Sequence, residues 1–279
     1  MVKIGTCVIF DDINTIEKKF ITLNENKFDN CQLMCWKMEL LTQESADLIK
    51  DLCNKYGVTI SAVWCGWEGP AIWNFYEGQT TLGLVPVEYR WARVKNLCLG
   101  SDFAEMLGVT DIITHMGFIP ENPNDSNFRP FCDAVRYVAQ YCKKKEQYLL
   151  FETGQETPTT LLRCFDEVGE DNLGINLDTA NCILYGRANP VDALGIFGKY
   201  VRNLHAKDGL YPVNGRELGK HTPIGEGKVD FDSIIRMLHE MDYNSYITIE
   251  REIEGEQQLI DILNARVLLE GYIEKYYKD

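Results

Sequence analysis

The chain has 279 residues, of which 45% are hydrophobic and 25% are charged, and its formal net charge at pH 7 is −14. This composition is typical of a globular protein and excludes a disordered chain, and the apolar runs fall short of the roughly 20 residues that span a bilayer. The acidic charge argues against nucleic acid as a partner, because a phosphate backbone binds to a basic surface. We therefore expect a protein that binds neither nucleic acid nor membrane.

The amino terminus and the cysteines indicate a cytoplasmic protein. The opening stretch, MVKIGTCVIFDD, has an apolar run too short for a signal peptide. Ten cysteines are spread between Cys7 and Cys182, mostly in apolar segments, and no two close pairs form a zinc motif. Reduced, buried thiols that act as small hydrophobic residues are the expected state.

Predicted strands and helices alternate through the first half of the chain. Runs rich in β-branched and aromatic residues predict strands at residues 3–10, 30–38, 58–67 and 110–118. Helical spacing of apolar residues predicts helices at 12–24, 42–57, 88–107 and 127–146. An aromatic, turn-rich segment at 68–87 interrupts the rhythm. Loops of this length are usually functional, so we expect it either to wall the active site or to form an oligomer contact.

The second half is more regular and completes the pattern. Strands are predicted at residues 147–154, 173–181, 201–209 and 245–251, and helices at 157–169, 190–200, 230–241 and 256–276, with a glycine-rich loop at 210–229. About eight strands alternating with about eight helices predict an α/β protein, a single-domain (β/α)8 TIM barrel over residues 1–279. A doubly wound open sheet is the alternative, although no GxGxxG follows the first strand.

Four strands of the second half carry a possible metal ligand at the carboxyl end. In a barrel these ends converge on one mouth, where active sites of the fold lie. Each side chain alone would more often be a helix cap or a loop residue, but the same placement in four successive units favours a metal site. Three carboxylates and one imidazole suit a hard divalent ion such as Mn²⁺, with Mg²⁺, Co²⁺ or Zn²⁺ as alternatives. The four residues are Glu152, Asp178, His205 and Glu250.

The strings FETG, NLDTAN, LHAKDG and TIERE contain these residues. In this order they resemble the xylose-isomerase-like sugar isomerase and epimerase family, which includes the ketose 3-epimerases, and the resemblance covers essentially the whole chain. Members of that family are (β/α)8 barrels with one divalent metal ion, often Mn²⁺. By match of motif, the resemblance implies that the same four residues are its ligands.

The resemblance also implies a mechanism. The metal would hold a sugar carbonyl and the adjacent hydroxyl and stabilise an enediolate as a Lewis acid. Glu152 and Glu250 would be the catalytic residues, one removing a proton and the other returning it. Return to the opposite face of the carbon is epimerisation, and return to the neighbouring carbon interconverts an aldose and a ketose.

Further residues are predicted to bind the substrate. His115 lies near the end of the fourth predicted strand, and Lys207 follows His205 by two residues on the same strand face. Trp67 belongs to the aromatic set that would contact a sugar face. The best-known ketose epimerases have a histidine three residues past the aspartate ligand, where this chain has Asn181. The hydrogen bonds to the sugar are therefore expected to differ from those of the ketose 3-epimerases.

We expect a metal-dependent isomerase or epimerase of carbohydrate metabolism that acts on a small molecule. The alternative is a lyase or dehydratase on a keto-sugar, keto-inositol or glycoside, because the first proton abstraction is the same. Phosphodiester cleavage would need several more metal-binding histidines than the four present. A sugar-binding barrel without catalysis would not need a complete ligand set. A homo-oligomer is compatible with the sequence.

Overall fold

The fold is described from a computed structural model over residues 2–278. Strands and helices alternate along the chain, as predicted. The strands are β1 (Lys3–Ile9), β2 (Asn30–Cys35), β3 (Thr59–Cys65), β4 (Asp111–Thr114), β5 (Tyr148–Glu152), β6 (Leu173–Asp178), β7 (Val201–Ala206), β8 (Asp208–Gly209), β9 (His221–Thr222) and β10 (Tyr246–Ile249). The α-helices are α1 (Ile16–Glu25), α2 (Gln43–Tyr56), α3 (Gly78–Thr81), α4 (Arg90–Leu107), α5 (Phe128–Lys143), α6 (Pro158–Val168), α7 (Thr179–Leu184), α8 (Pro190–Phe197), α9 (Phe231–Glu240) and α10 (Glu256–Tyr277).

The eight longer strands are parallel and form a closed barrel. Their order is β1-β10-β7-β6-β5-β4-β3-β2, and the pairing of β1 with β10 closes the ring. The predicted (β/α)8 barrel is therefore confirmed, and the open sheet is excluded. The two remaining strands, β8 and β9, form an antiparallel pair in the glycine-rich loop after β7.

Several helix ends follow from local sequence signals. Thr42 caps α2 by accepting a hydrogen bond from the backbone N–H of Ser45, and Gly57 ends that helix in the left-handed conformation at φ 66°. Thr157 caps α6, which has Pro158 in its first turn. These local signals position the helices around the barrel.

The predicted sixth strand was too long at its carboxyl end. β6 ends at Asp178, and residues 179–181 belong to α7. The Asp178 side chain explains the change, because its Oδ1 accepts a hydrogen bond from the backbone N–H of Asn181 at 2.7 Å and so caps α7. Asn181 therefore lies in the first turn of a helix.

The core lies between the barrel strands and the helices that surround them. Phe131, Val135 and Val138 of α5, predicted at helical spacing, are completely buried in it. Within the described residues the ten cysteines are free, and seven of them are buried. Among residues 2–278, none of the helices combines the length and apolar character needed to cross a membrane.

The two long loops, residues 68–87 and 210–229, meet at the carboxyl ends of the strands. The backbone N–H of Phe75 donates to the carbonyl of Arg216 at 3.0 Å, and the Arg216 guanidinium lies 4.7 Å from the centre of the Tyr76 ring. The first loop carries Trp73 and the second carries Leu218, and both side chains line a cavity at this mouth. Trp73 of the aromatic segment therefore contributes to the wall of this cavity.

Candidate metal and substrate site

The four predicted ligands meet at the carboxyl-end mouth of the barrel. Glu152 and Asp178 are the last residues of β5 and β6, His205 lies in β7 opposite Asp178, and Glu250 directly follows β10. One ligand atom from each residue lies within 4.8 Å of those of the other three, and all four side chains are buried. Adjacent strands thus bring together groups that are up to 98 residues apart in the sequence, from Glu152 to Glu250.

The ring of His205 is oriented by a residue from the far side of the barrel. Its Nε2 lies 2.6 Å from the side-chain oxygen of Gln32, so Nε2 carries a proton and donates to Gln32. The other nitrogen, Nδ1, faces three carboxylates. It lies 3.3 Å from Glu152, 3.3 Å from Glu250 and 3.7 Å from Asp178.

A cation fits this donor set. Asp178 Oδ2 and His205 Nδ1 are buried and have no hydrogen-bond partner among the described residues. Buried polar atoms of this kind are costly unless a partner is present. Burial, reinforced by Glu250 and Glu152 and opposed by Lys207, raises the pKa of Asp178 to about 6. A divalent ion coordinated by three carboxylates and one imidazole nitrogen would satisfy these atoms.

The two glutamates are held in the ionised state. Burial raises the pKa of each carboxyl, but positive neighbours outweigh burial and keep both values below the ordinary glutamate pKa. His115 and His205 act on Glu152, and Lys207 and His205 act on Glu250. Burial lowers the pKa of His205, but Glu152 and Glu250 raise it well above its ordinary value.

Three side chains fix the carboxylate of Glu152. The indole N–H of Trp64 donates to Oε2. On the other oxygen, Oε1, the Asn181 amide donates at 3.2 Å and His115 Nε2 lies 3.3 Å away. The predicted residues His115 and Asn181 therefore lie beside Glu152, and both also line the cavity.

Lys207 is enclosed by acidic groups. Its Nζ lies 3.0 Å from Glu252, 3.1 Å from Glu250 and 3.5 Å from Asp178, and its side chain is only 2% exposed. Burial lowers the pKa of Lys207, but Glu250 and Glu252 raise it well above the ordinary value. Lys207 is therefore a buried cation at the edge of the ligand cluster.

The cavity in front of these groups has a volume of about 460 Å³. Its lining combines acidic groups, Glu152, Glu250 and Glu252, with a wall of tryptophans. Trp36 lies 4.8 Å from Trp64 and 6.4 Å from Trp73, measured between ring centres, and all three line the cavity. The predicted substrate residue Trp67 lies behind this wall, with its ring 5.4 Å from Trp36, and supports the wall from outside the cavity lining.

The sequence interpretation missed several residues of the site. Gln32 and Asn30 are the two polar amides of β2, a strand whose six residues are all buried, and a polar residue within an apolar strand sequence was the available signal. Trp36 and Trp64 read as ordinary strand aromatics. Glu252 could have been noticed because it follows Glu250 by two residues.

Glu156 is a further carboxyl that the sequence interpretation missed. It is buried just beyond Glu152, and neither of its carboxylate oxygens has a hydrogen-bond partner in the described part of the chain. Burial, partly offset by His115, raises its pKa to about 7.

The family profile described as xylose isomerase-like TIM barrel matches residues 22–267. The crystal structure of a xylose isomerase domain protein from Planctomyces limnophilus is 30% identical, and the match covers 99% of this chain and 98% of that one with a TM-score of 0.91. An L-ribulose 3-epimerase structure shares the fold with a TM-score of 0.72 and 17% identity, over 99% of this chain and 96% of its own. These matches confirm the family predicted from the four motif strings.

Curated relatives include an enzyme of another reaction class. The inosose dehydratase of Clostridium botulinum is 23% identical over 145 residues, which are 46% of this chain and 48% of the dehydratase. The matched region spans about half the length of the curated relatives. The profile and the Planctomyces limnophilus structure show the family, whereas the partial matches to curated relatives do not identify the reaction.

Proposed function

We propose that this chain, which belongs to the xylose isomerase-like TIM barrel family, is a divalent-metal-dependent sugar isomerase or epimerase. The observation that carries the proposal is a pair of ionised glutamates at the rim of one ligand cluster. Glu152 and Glu250 come from the ends of β5 and β10, and β6 and β7 lie between them in the barrel. They can therefore approach a substrate from two directions.

The metal ion would be held by the four clustered side chains. Mn²⁺ is our first candidate, with Mg²⁺, Co²⁺ and Zn²⁺ as alternatives. When bound, the ion supplies Lewis-acid polarisation of a substrate carbonyl. The four ligands would be Glu152, Asp178, His205 and Glu250.

The two glutamates would exchange a proton with the substrate. One carboxylate takes the proton from the carbon next to the carbonyl, and the carbonyl becomes an enediolate. The other glutamate takes up a proton from solvent and, as its carboxylic acid, gives it to the opposite face of that carbon or to the neighbouring carbon. The first outcome is an epimer. The second, once the hydroxyl proton has passed to the former carbonyl oxygen, is an aldose-ketose isomer, and the first glutamate then releases its proton to solvent.

The surrounding residues would position the reacting groups. Trp64 and Asn181 donate to the two oxygens of Glu152 and so fix its direction. Lys207, which lies 3.1 Å from Glu250, would donate a hydrogen bond to a neutral substrate oxygen beside that carboxylate, and His115 would bind a hydroxyl beside Glu152. The Trp67 side chain would contribute indirectly, through its packing on Trp36.

Proton exchange with solvent tests the proposal. We would incubate the metal-loaded protein in D₂O with ketoses, keto-inositols and 3-keto-glycosides and follow each compound by NMR. We expect deuterium at the reacting carbon together with a new sugar isomer. The Glu152→Gln variant should lose about 10²- to 10⁴-fold in rate, the usual contribution of a general base.

The matched control is Glu254→Gln, which makes the same change at an exposed carboxylate four residues past Glu250. It should keep the wild-type rate. If every compound in the panel stays unexchanged while the protein binds the metal tightly, the enolising mechanism is wrong.

A dehydratase is the second candidate, and the inosose dehydratase relative favours it. The same carboxylate would take the same proton. The enediolate would then expel a hydroxide from the next carbon, and that hydroxide would leave as water after accepting a proton from a neighbouring acid. Loss of one water from the product, seen by mass spectrometry, would assign the protein to this class.

A further inference from the structure

We infer that the substrate is an unphosphorylated polyhydroxy ketone, which is stacked on the tryptophan wall with its hydroxyls directed to the acidic groups of the cavity lining. This inference rests on the proposed function and specifies its substrate class. The charges around the cavity and the carboxylates that already neutralise the nearby cations disfavour a phosphorylated substrate.

The cavity lining offers little positive charge to a phosphate. Its carboxylates are Glu152, Glu250 and Glu252, and its groups that can carry positive charge are His115 and Lys207. The three short distances from Lys207 to carboxylates leave that cation already neutralised. With a divalent ion bound, Glu152, Asp178, Glu250 and Glu252 would carry four negative charges against three positive charges from the ion and Lys207. A phosphate dianion that entered this cavity would therefore meet like charge from the carboxylates that the ion does not balance.

The helix ends that usually bind phosphate in this fold carry acidic residues here. In TIM barrels a phosphate site is frequently formed by the loops after the last two strands and a helix amino terminus. The amino terminus of α9 is capped by Asp230, whose carboxylate accepts from the backbone N–H of Ser233 at 3.0 Å. The first turn of α10 contains Glu256. Carboxylates at these positions disfavour a second anion.

The arginines around the mouth have other partners. Arg187 lies 3.2 Å from a Glu121 carboxylate oxygen. Arg251 lies 2.7 Å from a carboxylate oxygen of Asp261. The Arg216 guanidinium is stacked over the Tyr76 ring outside the cavity lining.

The remaining features of the cavity suit a neutral polyol. Trp36 and Trp73 present ring surface to the cavity, and aromatic faces pack well on the apolar face of a sugar. Glu252 is 58% exposed and lines the same cavity, so its carboxylate can accept hydrogen bonds from substrate hydroxyls. Substrate hydroxyls can donate hydrogen bonds to these carboxylates, whereas the oxygens of a phosphate dianion can only accept.

Binding and turnover of matched pairs test the inference. We would compare D-fructose with D-fructose 6-phosphate and L-ribulose with L-ribulose 5-phosphate as substrates, and D-glucitol with D-glucitol 6-phosphate as unreactive ligands. Binding to the metal-loaded protein would be followed by tryptophan fluorescence. Where a pair binds, we expect the affinity of the neutral compound to be at least roughly 30-fold higher than that of its phosphate.

Two variants locate the discrimination. Glu252→Gln should weaken binding of the neutral member and reduce the preference over phosphate several-fold, because one carboxylate charge is removed. Glu254→Gln, with the same change at a position outside the cavity lining, should leave the preference unchanged. Equal effects of the two variants would show that Glu252 does not face the substrate and would overturn the inference.

The binding results decide the inference, and the exchange results decide the proposed function. Tighter binding of the phosphates, or no binding of any neutral polyol, would overturn the inference even if exchange occurs. Preferential binding of neutral polyols without any exchange would support this ligand class and contradict the proposed reaction.

Discussion

Asp208 and Asp178 are both fully buried at the same mouth of the barrel, but their carboxylates have opposite surroundings. Asp208 accepts four backbone hydrogen bonds, from Gly209 and Val229 on Oδ1 and from Gly225 and Gly227 on Oδ2, at 2.8 to 3.0 Å. Those amides belong to the glycine-rich loop. A Cβ at Gly227 would lie 2.0 Å from Asp208 Oδ1, so only glycine permits this close approach.

Asp178 accepts from a single backbone N–H, that of Asn181, and Lys207 Nζ lies 3.5 Å from its other oxygen. Its Oδ1 caps α7, but its Oδ2 has no hydrogen-bond partner among residues 2–278 and points toward the cluster of Glu152 and Glu250. Burial alone therefore does not identify a metal ligand. A carboxylate with four amide donors organises a loop, and a carboxylate with an unsatisfied oxygen among other carboxylates needs a cation.

The largest expected effect is on metal binding by Asp178→Asn. Loss of outer-sphere partners of a metal typically costs 10- to 100-fold in affinity, so loss of a direct ligand should cost at least roughly 100-fold. Isothermal titration with Mn²⁺ would measure it. Asparagine caps a helix as well as aspartate does. Burial raises the pKa of the Asp178 carboxyl to about 6, so the substitution removes a negative charge that burial disfavours. Unfolding of the metal-free variant at neutral pH should therefore be no easier than for the wild type.

Asp208→Asn is the matched substitution and should behave in the opposite way. The amide nitrogen cannot accept, so two of the four backbone N–H groups lose their acceptor, and the free energy of unfolding should fall by about 3 kcal/mol. Urea unfolding would measure it, with Mn²⁺ titration alongside. A large loss of Mn²⁺ affinity in Asp208→Asn with an unchanged free energy of unfolding would contradict this contrast. So would a large loss of stability in metal-free Asp178→Asn with unchanged Mn²⁺ affinity.

Glu156 is a buried carboxyl in a third state, protonated instead of bound by amides or by a cation. Its substitution should have the smallest effect of the three, a change in the pH dependence of stability. Burial, partly offset by His115, raises its pKa to about 7, above the ordinary value of 4.5. The neutral form is therefore preferred in the folded protein, and its stabilising contribution is present below about pH 4.5 and lost as the pH rises through about 7. Relative to Glu156→Gln, the wild type should lose about 2 kcal/mol of unfolding free energy between about pH 5 and pH 8.

Metal-free protein and thermal or urea unfolding at a series of pH values would check this last prediction. Glu254→Gln, at an exposed carboxylate, is the control and should follow the wild-type pH dependence. Parallel pH profiles for Glu156→Gln and the wild type would show that Glu156 is ionised in the folded protein, and the third state would then not exist.

The barrel architecture and the clustering of the four proposed ligands could be predicted from the sequence. Strand and helix periodicity, together with caps such as Thr42 and Thr157, are local properties, so the alternation of β-α units could be predicted. Each proposed ligand lies at or near the end of its own strand, and the repetition of that position predicted one shared mouth. The error at residues 179–181 was also local, because the aspartate ligand is at the same time a helix cap.

The orientation of the proposed ligands and the identity of the groups around them depend on the tertiary structure. Gln32 orients His205 across 173 residues of sequence, and Trp64 reaches Glu152 across 88. These pairings depend on the register and the closure of the barrel, which no local pattern encodes. The same closure packs Lys207 against three carboxylates and brings the tryptophans into the same cavity lining. The character of the cavity therefore follows from contacts between strands that are distant in sequence.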